Sequence, residues 1–464
     1  MHAISNIPFD EIEIGRPLSV TRTLSKTDIE ALAFASGDID AFSDDEAPQA
    51  DTQRSTEAVG AECLIAHLIN RRLPGPGSSI VAQDFRFTSF LTVGDEVSAT
   101  LLPVEKIGAD HLVVFDCRVV NQNGEDVLTG RATVRAPTER QRRGDLTATE
   151  MIFRRTDVFA KILRACEGIP PVTTAVVHPC DRDSLRGAIE AAERKLILPV
   201  LVGPEARIRS LAASEGLDLA PWRVVGTEHS HAAAQKAAEL ARTGEVEGLM
   251  KGSLHTDELM SMVVAASSGL RTSRRISHVF LMDVPSYPRM LLVTDAAINI
   301  APDARTKADI AQNAIDLARV LGVDVPKVAV LAAVETVNAD MQATVDAAML
   351  CKMADRGQIT GGLIDGPLAF DNAVSEHAAR TKHIVSPVAG RADILLVPDL
   401  EAGNMVAKQL QYLAGADSAG IVLGARVPIV LTSRADSVRT RLASAAVMKL
   451  LAHARRHEPV PPPV

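Results

Sequence analysis

The sequence has few aromatic residues and no excess of basic ones. Its 464 residues include one Trp, two Tyr and 11 Phe, and 49 Lys and Arg stand against 58 Asp and Glu, a net charge of −9. Proteins that bind nucleic acids need a basic surface and commonly stack bases on aromatic side chains. Nucleic acid is therefore set aside as a partner.

Long apolar runs and paired cysteines are also lacking. No run approaches the roughly 18 residues that a membrane-spanning helix needs, and the N-terminus has neither the basic nor the apolar region of a signal peptide. We therefore expect a cytoplasmic protein without membrane contact. The five cysteines are odd in number and never in CxxC spacing, which argues against disulfides and a zinc site and predicts buried thiols.

A polar segment over residues 137–151, with clustered arginines and no apolar periodicity, predicts a linker between domains 1–136 and 152–464. Before it, apolar residues at helical spacing over 55–73 are followed by period-two alternation over 80–134. One helix followed by several antiparallel strands predicts an α+β domain whose sheet curls around the helix.

After the linker, short apolar strands alternate with helical stretches such as RDSLRGAIEAAERKL and KADIAQNAIDLARVLG. This alternation predicts βαβ units and an α/β domain with a largely parallel sheet. Its length exceeds the roughly 250–300 residues at which one core stops growing, so we expect two lobes with a cleft between them.

The C-terminal domain lacks the nucleotide-binding and hydrolase signatures GxxxxGK[ST], GxGxxG, HExxH and GxSxG. What it has is polar residues where predicted strands give way to loops, the usual place for a ligand in α/β proteins. Cationic side chains and a helix start with Gly403 suit an anion. The candidate binding residues are Lys251, His255, Thr256, Arg271, Arg275, Asn299, Asp371, Gly403 and Asn404.

The stretches KGSLHTDEL, LRTSRRISHVFLMDVP, TDAAINIAPD, DGPLAFDNAVS, SPVAGRADILLVPDLEAGNMVAKQLQYLAGA and GARVPIVLTSRADS resemble, in order and spacing, the phosphate acetyltransferase and butyryltransferase family. The resemblance runs from about Ile152 to His453. It implies the two-lobed fold shared with isocitrate and isopropylmalate dehydrogenases. It also implies conversion of short-chain acyl-CoA and phosphate to acyl phosphate and CoA, with no metal and no bound cofactor.

The family's catalytic Ser-Arg pair matches Ser433 and Arg434. By this resemblance Arg434 would neutralise the acyl phosphate and Ser433 would hydrogen-bond the thiol. A carboxylate should deprotonate CoA, but the family's Asp, seven positions after the Ser, is Thr440 here. Asp436 is the substitute, although its position also fits a helix N-cap, and both roles stay open.

The N-terminal domain, about Phe9 to Ala136, resembles the hot-dog fold of MaoC-like (R)-specific enoyl-CoA hydratases in FASGDIDAFSDD, LPGPGSSIVAQDFRFTSFLTVGDEV and NQNGEDVLTGRATV. Asp38 fits the catalytic Asp, and Gly60 fits the helix donor to the thioester carbonyl. Ser43 stands where the family has its His, the better proton shuttle near neutral pH. The resemblance thus implies a degenerate hydratase and, since hot-dog grooves are shared between protomers, a homo-oligomer (dimer or higher).

Three alternatives stay open at this point. The protein could be truly bifunctional, with hydratase and acyltransferase both active. The N-terminal domain could instead be a non-catalytic module that binds acyl-CoA or dimerises. Dehydrogenase chemistry on the two-lobed fold would require metal-binding carboxylates and a nicotinamide pocket to which no motif points.

Overall fold

A computed structural model divides the chain into two units, Met1–Arg155 and Thr156–Val464. The residues that it describes are 3–25, 28, 31–32, 50–89, 91, 94–144, 158–432 and 436–457. Four of the predicted site residues lie outside these ranges: Asp38, Ser43, Ser433 and Arg434.

The first unit is an antiparallel sheet with one long helix. Its described strands are β1 (Ala3–Ser5), β2 (Leu18–Thr23), β3 (Ser79–Phe87), β4 (Glu96–Ile107), β5 (Leu112–Val120), β6 (Asp126–Arg135) and β7 (Arg142–Gly144), and its helix is α1 (Ala50–Arg71). Five strands pair in the order β2-β4-β5-β6-β3, all antiparallel. Apolar residues at helical spacing on α1 are buried in one cluster with the inward side chains of the sheet: Ala61, Leu64, Ile65, Leu68 and Ile69. This is the α+β arrangement that the sequence predicts.

The start of the predicted linker is part of the first unit. Strand β7 pairs antiparallel with β1, and the Asn6 amide nitrogen donates to the Glu139 carbonyl at 2.8 Å. The Gln141 backbone amide donates in turn to the Asn6 side-chain oxygen at 2.7 Å. Residues 137–144 therefore differ from the predicted linker, because these groups find partners in the N-terminal segment, and residues 145–151 lie outside the described ranges.

The second unit contains one eleven-stranded sheet with helices on both faces. The strands are β8 (Val172–Val177), β9 (Ile197–Gly203), β10 (Arg223–Gly226), β11 (Gly248–Lys251), β12 (Ser277–Asp283), β13 (Leu291–Thr294), β14 (Lys327–Leu331), β15 (Leu363–Leu368), β16 (Ile394–Leu396), β17 (Asp417–Leu423) and β18 (Ile429–Val430). The described helices are α2 (Val158–Ala165), α3 (Arg182–Glu193), α4 (Glu205–Glu215), α5 (Ser230–Thr243), α6 (Thr256–Val264), α7 (Ala304–Val320), α8 (Gln342–Asp355), α9 (Phe370–Val374), α10 (Glu376–Thr381), α11 (Leu400–Tyr412) and α12 (Val438–His457).

The strand direction reverses in the middle of this sheet. The order is β10-β9-β8-β11-β18-β17-β12-β13-β16-β14-β15. Both flanks are parallel, as predicted, but β17–β18, β12–β17 and β12–β13 are antiparallel. The parallel strands of the two flanks therefore run in opposite directions, and their carboxyl ends lie at opposite edges of the sheet.

The core is continuous on one face of this sheet and divided on the other. One cluster, which includes Val279 and Leu281 of β12, extends across both halves. On the opposite face one cluster surrounds Leu249 and a separate one surrounds Leu395. The gap between these two clusters lies over β12. Within the described residues, no helix has both the length and the apolar composition needed to cross a bilayer.

Candidate active site

A cleft of about 440 Å³ lies over β12 in that gap. Its walls come from both halves of the second unit: Lys251, Leu254, His255, Thr256, His278, Phe280, Ala297, Asn404, Lys408, Leu431 and Thr432. Four residues singled out from the sequence, Lys251, His255, Thr256 and Asn404, are thus brought together. They lie far apart in the chain, and the fold gathers them on one face of the sheet.

The wall from the first half is built by a tight turn after β11. A Cβ on Gly252 would lie 2.4 Å from the carbonyl oxygen of Val177, so only glycine lets this turn pack against the end of β8. The Ser253 hydroxyl donates to the His178 carbonyl at 3.0 Å and holds the turn there. The chain then enters α6 at Thr256, which lines the cleft.

The wall from the second half is the first part of α11. Asn404 lines the cleft, and its amide nitrogen is 3.3 Å from the Ala296 carbonyl. The sequence predicts that Gly403, at the start of a helix, helps to bind an anion, but the structure shows a different use of this glycine. A Cβ there would lie 2.8 Å from the Asp295 carbonyl, so the glycine serves helix packing. The Asp399 carboxylate also caps the helix by accepting from the Ala402 amide at 2.8 Å.

Three buried side chains fix the segment that precedes the predicted catalytic pair. The His278 imidazole lies beside the backbone carbonyl of Leu431. The Lys251 ammonium lies 3.4 Å from the Thr432 carbonyl, and Arg441 donates to the Thr432 hydroxyl at 2.9 Å. Thr432, the last described residue before the pair, is thus contacted from β11 and α12, and its neighbour Leu431 lies beside β12.

On the other side of the pair, Ser437 is the N-cap of α12. Its hydroxyl accepts from the Thr440 backbone amide at 3.2 Å, the contact that an N-cap makes. The Thr440 hydroxyl also lies 3.2 Å from that of Ser437. Asp436, 8% exposed, is one residue too early for this role. Ser437 thus makes an N-cap contact of α12, and the role of Asp436 stays a prediction.

A second cavity, of about 580 Å³, is lined by the arginines that the sequence predicts as binding residues. Arg271 and Arg275 line it together with Arg274 and Arg305. Ile276, the residue before β12, lines this cavity, and His278, two residues further along the chain, lines the cleft. Alternate residues of a strand face the same side, so the two cavities are neighbours along one strand.

Asn299 lines the arginine-rich cavity, but its amide nitrogen is used within the protein. It donates to the Asp295 carboxylate at 2.6 Å and to the Ile276 carbonyl at 2.9 Å. Asp295 also accepts from the backbone amides of Ala297 and Ile298. Burial raises the pKa of this carboxyl despite these bonds. Asn299 therefore shapes the loop between the cavities, in contrast to its predicted contact with substrate.

Two further predicted residues lie away from both cavities. Asp371 is exposed on α9 and pairs with Lys382 at 3.2 Å, a contact that lowers the pKa of the carboxyl. It follows β15, the edge strand of the sheet. In the first unit, Gly60 lies inside α1, which begins at Ala50, and an interior helical amide donates to the carbonyl four residues earlier. Gly60 therefore has no free backbone donor for a thioester.

Sequence reasoning missed several residues of the cleft, chiefly His278, Phe280 and Lys408. The first two lie in the apolar run HVFLMD, which predicts only a buried strand. Burial lowers the pKa of His278 to about 3, so this imidazole is neutral at physiological pH. Lys408 lies one helical turn after Asn404, and that spacing was the available signal.

The prediction that all five cysteines are buried is wrong for two of them, because Cys63 is exposed and Cys351 is only partly buried. Cys117, Cys166 and Cys180 are buried, and burial raises the pKa of the Cys117 thiol to about 12. Thiols of this kind are poor nucleophiles. Within the described ranges, no three His, Cys, Asp or Glu side chains are grouped so that they could hold a metal ion.

Comparison with known proteins identifies the second unit. The family profile described as "Phosphate acetyl/butaryl transferase" matches residues 227–449. The phosphate acetyltransferase of Rhizobium meliloti is 62% identical over 298 residues, which are 64% of this chain and 94% of that protein. The phosphate butyryltransferase of Clostridium beijerinckii is 40% identical over 294 residues, 63% of this chain and 97% of that protein.

Among solved structures, a branched-chain phosphotransacylase from Enterococcus faecalis superposes with a TM-score of 0.52 at 29% identity, covering 60% of this chain and 99% of that one. The chain belongs to the phosphate acetyl/butyryl transferase family, and by that membership it is an acyltransferase.

Proposed function

We propose that the second unit transfers a short acyl group from CoA to inorganic phosphate in the cleft over β12, giving acyl phosphate and free CoA. The observation that carries this is the meeting of Lys251, Thr256, Asn404 and Lys408 around one cleft in a chain of this family. Two cations and two neutral donors there suit an anion. The divided core supports the two-lobed fold of isocitrate and isopropylmalate dehydrogenases as the architecture.

The catalytic roles that we infer are as follows. Arg434 neutralises the negative charge that develops on the transferring acyl phosphate. Ser433 hydrogen-bonds the sulfur of CoA. Asp436 takes the thiol proton when the reaction runs toward acyl-CoA, and it returns that proton to the leaving thiolate in the opposite direction. The assignment of the helix cap to Ser437 supports this role, because Asp436 is not needed there.

The reaction is tested by thiol release from acetyl-, propionyl- and butyryl-CoA with the purified full chain. We expect release that requires phosphate and proceeds in the presence of a metal chelator. If phosphate does not stimulate release from any short acyl-CoA, the proposal fails.

We also propose that Arg271 and Arg275 bind the phosphates at the nucleotide end of CoA. Their cavity has four arginines against two aspartates, and among the described residues Arg271, Arg275 and Arg305 make no ion pair. A long substrate whose thiol end lies in the cleft has its charged end outside it. The arginines of the neighbouring cavity can bind that negatively charged end.

Replacing Arg271 and Arg275 together by Gln should therefore raise KM for acetyl-CoA by at least about tenfold, a loss of about 1.4 kcal/mol in binding, with kcat nearly unchanged. Acetyl-pantetheine, which lacks the nucleotide, should show no such change. The matched control is Arg209→Gln, which removes only the exposed pair with Glu205. An equal KM increase for both substrates would refute the assignment.

For the first unit we propose a hot-dog domain of the MaoC-like type without hydratase activity. Its five-stranded antiparallel sheet around α1 supports the fold. The position of Gly60 inside the helix removes the expected carbonyl donor, and Ser43 stands where the family has its proton shuttle. These features favour a module that binds acyl-CoA or dimerises.

We accordingly expect no measurable hydration of crotonyl-CoA by the full chain. Ser43→His alone should restore little, because Asp40 and Ala41 also depart from the family's loop and an error of about 1 Å in placing the groups can cost roughly 100-fold. The assay follows loss of the conjugated thioester absorbance. Robust hydration that Asp38→Ala abolishes would instead establish a bifunctional enzyme.

A further inference from the structure

The bottom of the cleft is apolar, although its rim is not. His278 and Phe280 project from the same face of β12, and Leu431 lies beside them. The imidazole and phenyl rings meet edge to face, with centroids 4.4 Å apart and planes at 76°. We call these three residues the cleft floor.

His278 behaves as an aromatic wall rather than as a charged group. It is 1% exposed, and among the described residues its Nδ1 has no hydrogen-bond partner. Among the described lining residues none is acidic, and burial keeps the imidazole neutral at physiological pH. The floor therefore presents carbon and neutral ring surface to whatever enters the cleft.

The polar groups of the cleft lie on its two walls. Lys251 and Thr256 are on one side, and Asn404 and Lys408 are on the other. A phosphate gains charge-assisted hydrogen bonds at the walls. At the floor it would lose its bound water and find no hydrogen-bond donors to replace it. An alkyl chain has the opposite preference, because burial on carbon surface removes it from water.

We propose that the cleft floor binds the acyl group and that Phe280 is the residue that limits its length. The inference rests on the proposed acyltransferase function and names the part of the site that distinguishes one acyl-CoA from another. Phe280 is half-buried, so its ring fills space that a longer chain would need. The substrates that fit above an intact ring are short acyl groups.

The test is the chain-length profile of Phe280→Ala, measured as kcat/KM for acetyl-, butyryl- and hexanoyl-CoA at saturating phosphate. Each methylene in a hydrophobic pocket changes kcat/KM by about 10-fold or more. We expect the hexanoyl-to-acetyl ratio to rise by at least about tenfold over that of the unaltered protein. A purely structural role would lower all three values together and leave the ratio unchanged.

The matched control is Val279→Ala. Val279 is the neighbouring residue of β12, is fully buried, and belongs to the cluster on the opposite face. It should lower stability without moving the ratio. If Phe280→Ala does not fold, Phe280→Leu opens less space and should move the ratio in the same direction.

The outcomes are distinct. A ratio that is unchanged in an active, folded Phe280 variant overturns the assignment of the floor and leaves the acyltransferase proposal intact. If the unaltered protein shows no phosphate-dependent thiol release with any of the three esters, the proposed function itself fails, and the inference falls with it.

Discussion

Replacing Arg434 by Gln should lower turnover at least about 100-fold, because it removes a preorganised cation from the place where charge develops in the transition state. Lysine should not restore the rate, since a single ammonium cannot reproduce the two parallel hydrogen bonds of a guanidinium. The measurement is kcat for phosphate-dependent thiol release, with the melting temperature followed in parallel.

Arg439→Gln is the control for this effect. Arg439 lies five residues further along, is half-exposed, and pairs with Asp417 at 3.0 Å. Exposed pairs contribute at most about 1 kcal/mol to stability, so its loss should leave turnover intact. Near-normal turnover in Arg434→Gln would show that the catalytic cation is another residue.

Asp436→Asn should lower turnover steeply while the melting temperature holds. The substitution keeps the size and the hydrogen-bonding capacity of the side chain but removes its ability to take a proton. Measured in the direction of acyl-CoA formation from acyl phosphate and CoA, the loss should be largest at low pH, where less thiolate is present, and should shrink as the pH approaches the thiol pKa of about 8.5.

Ser437→Ala is the matched variant, because it removes the helix cap and leaves Asp436 in place. It should cost about 1 kcal/mol of stability and little turnover. Should Asp436→Asn instead lower the melting temperature and keep its rate across the pH range, Asp436 would be structural and the base would be another group.

The predicted residues that line the cleft lie on local motifs. Lys251, His255 and Thr256 follow one another around a single turn, and a strand end, a glycine and a helix start are all visible in KGSLHT. The turn needs its glycine because the end of β8 is so close. Asn404 was found in the same way, from the start of a helix.

The position of the predicted residues that lie outside the cleft depends on long-range strand pairing. In a sheet whose strands are all parallel, the carboxyl ends lie at one edge and bring their polar residues together. Here β12 is antiparallel to both β13 and β17, so the strand ends lie at two edges. A buried antiparallel strand has the same apolar pattern as a parallel one, so the reversal left no trace in the sequence. Arg271 and Arg275 therefore lie in a neighbouring cavity and not in the cleft.

The residues of the cleft floor could not be predicted from the sequence, and the reason is again long-range packing. His278 and Phe280 face the gap between two hydrophobic clusters, and nothing in a strand of alternating apolar residues marks where two clusters fail to meet. For Gly403, a sequence signal for ligand binding reflects packing instead. Its position at a helix start predicted a phosphate contact, whereas the close approach that it permits is to the backbone of Asp295.

The most direct test of the account is the identity of the product. The full chain is incubated with butyryl-CoA and phosphate, and phosphorus NMR and a thiol reagent are read on the same sample. The account predicts a new acyl phosphate resonance that grows in step with thiol release, and no release when phosphate is omitted. Thiol release at the same rate without phosphate, with no new phosphorus signal, would mean hydrolysis and would contradict it.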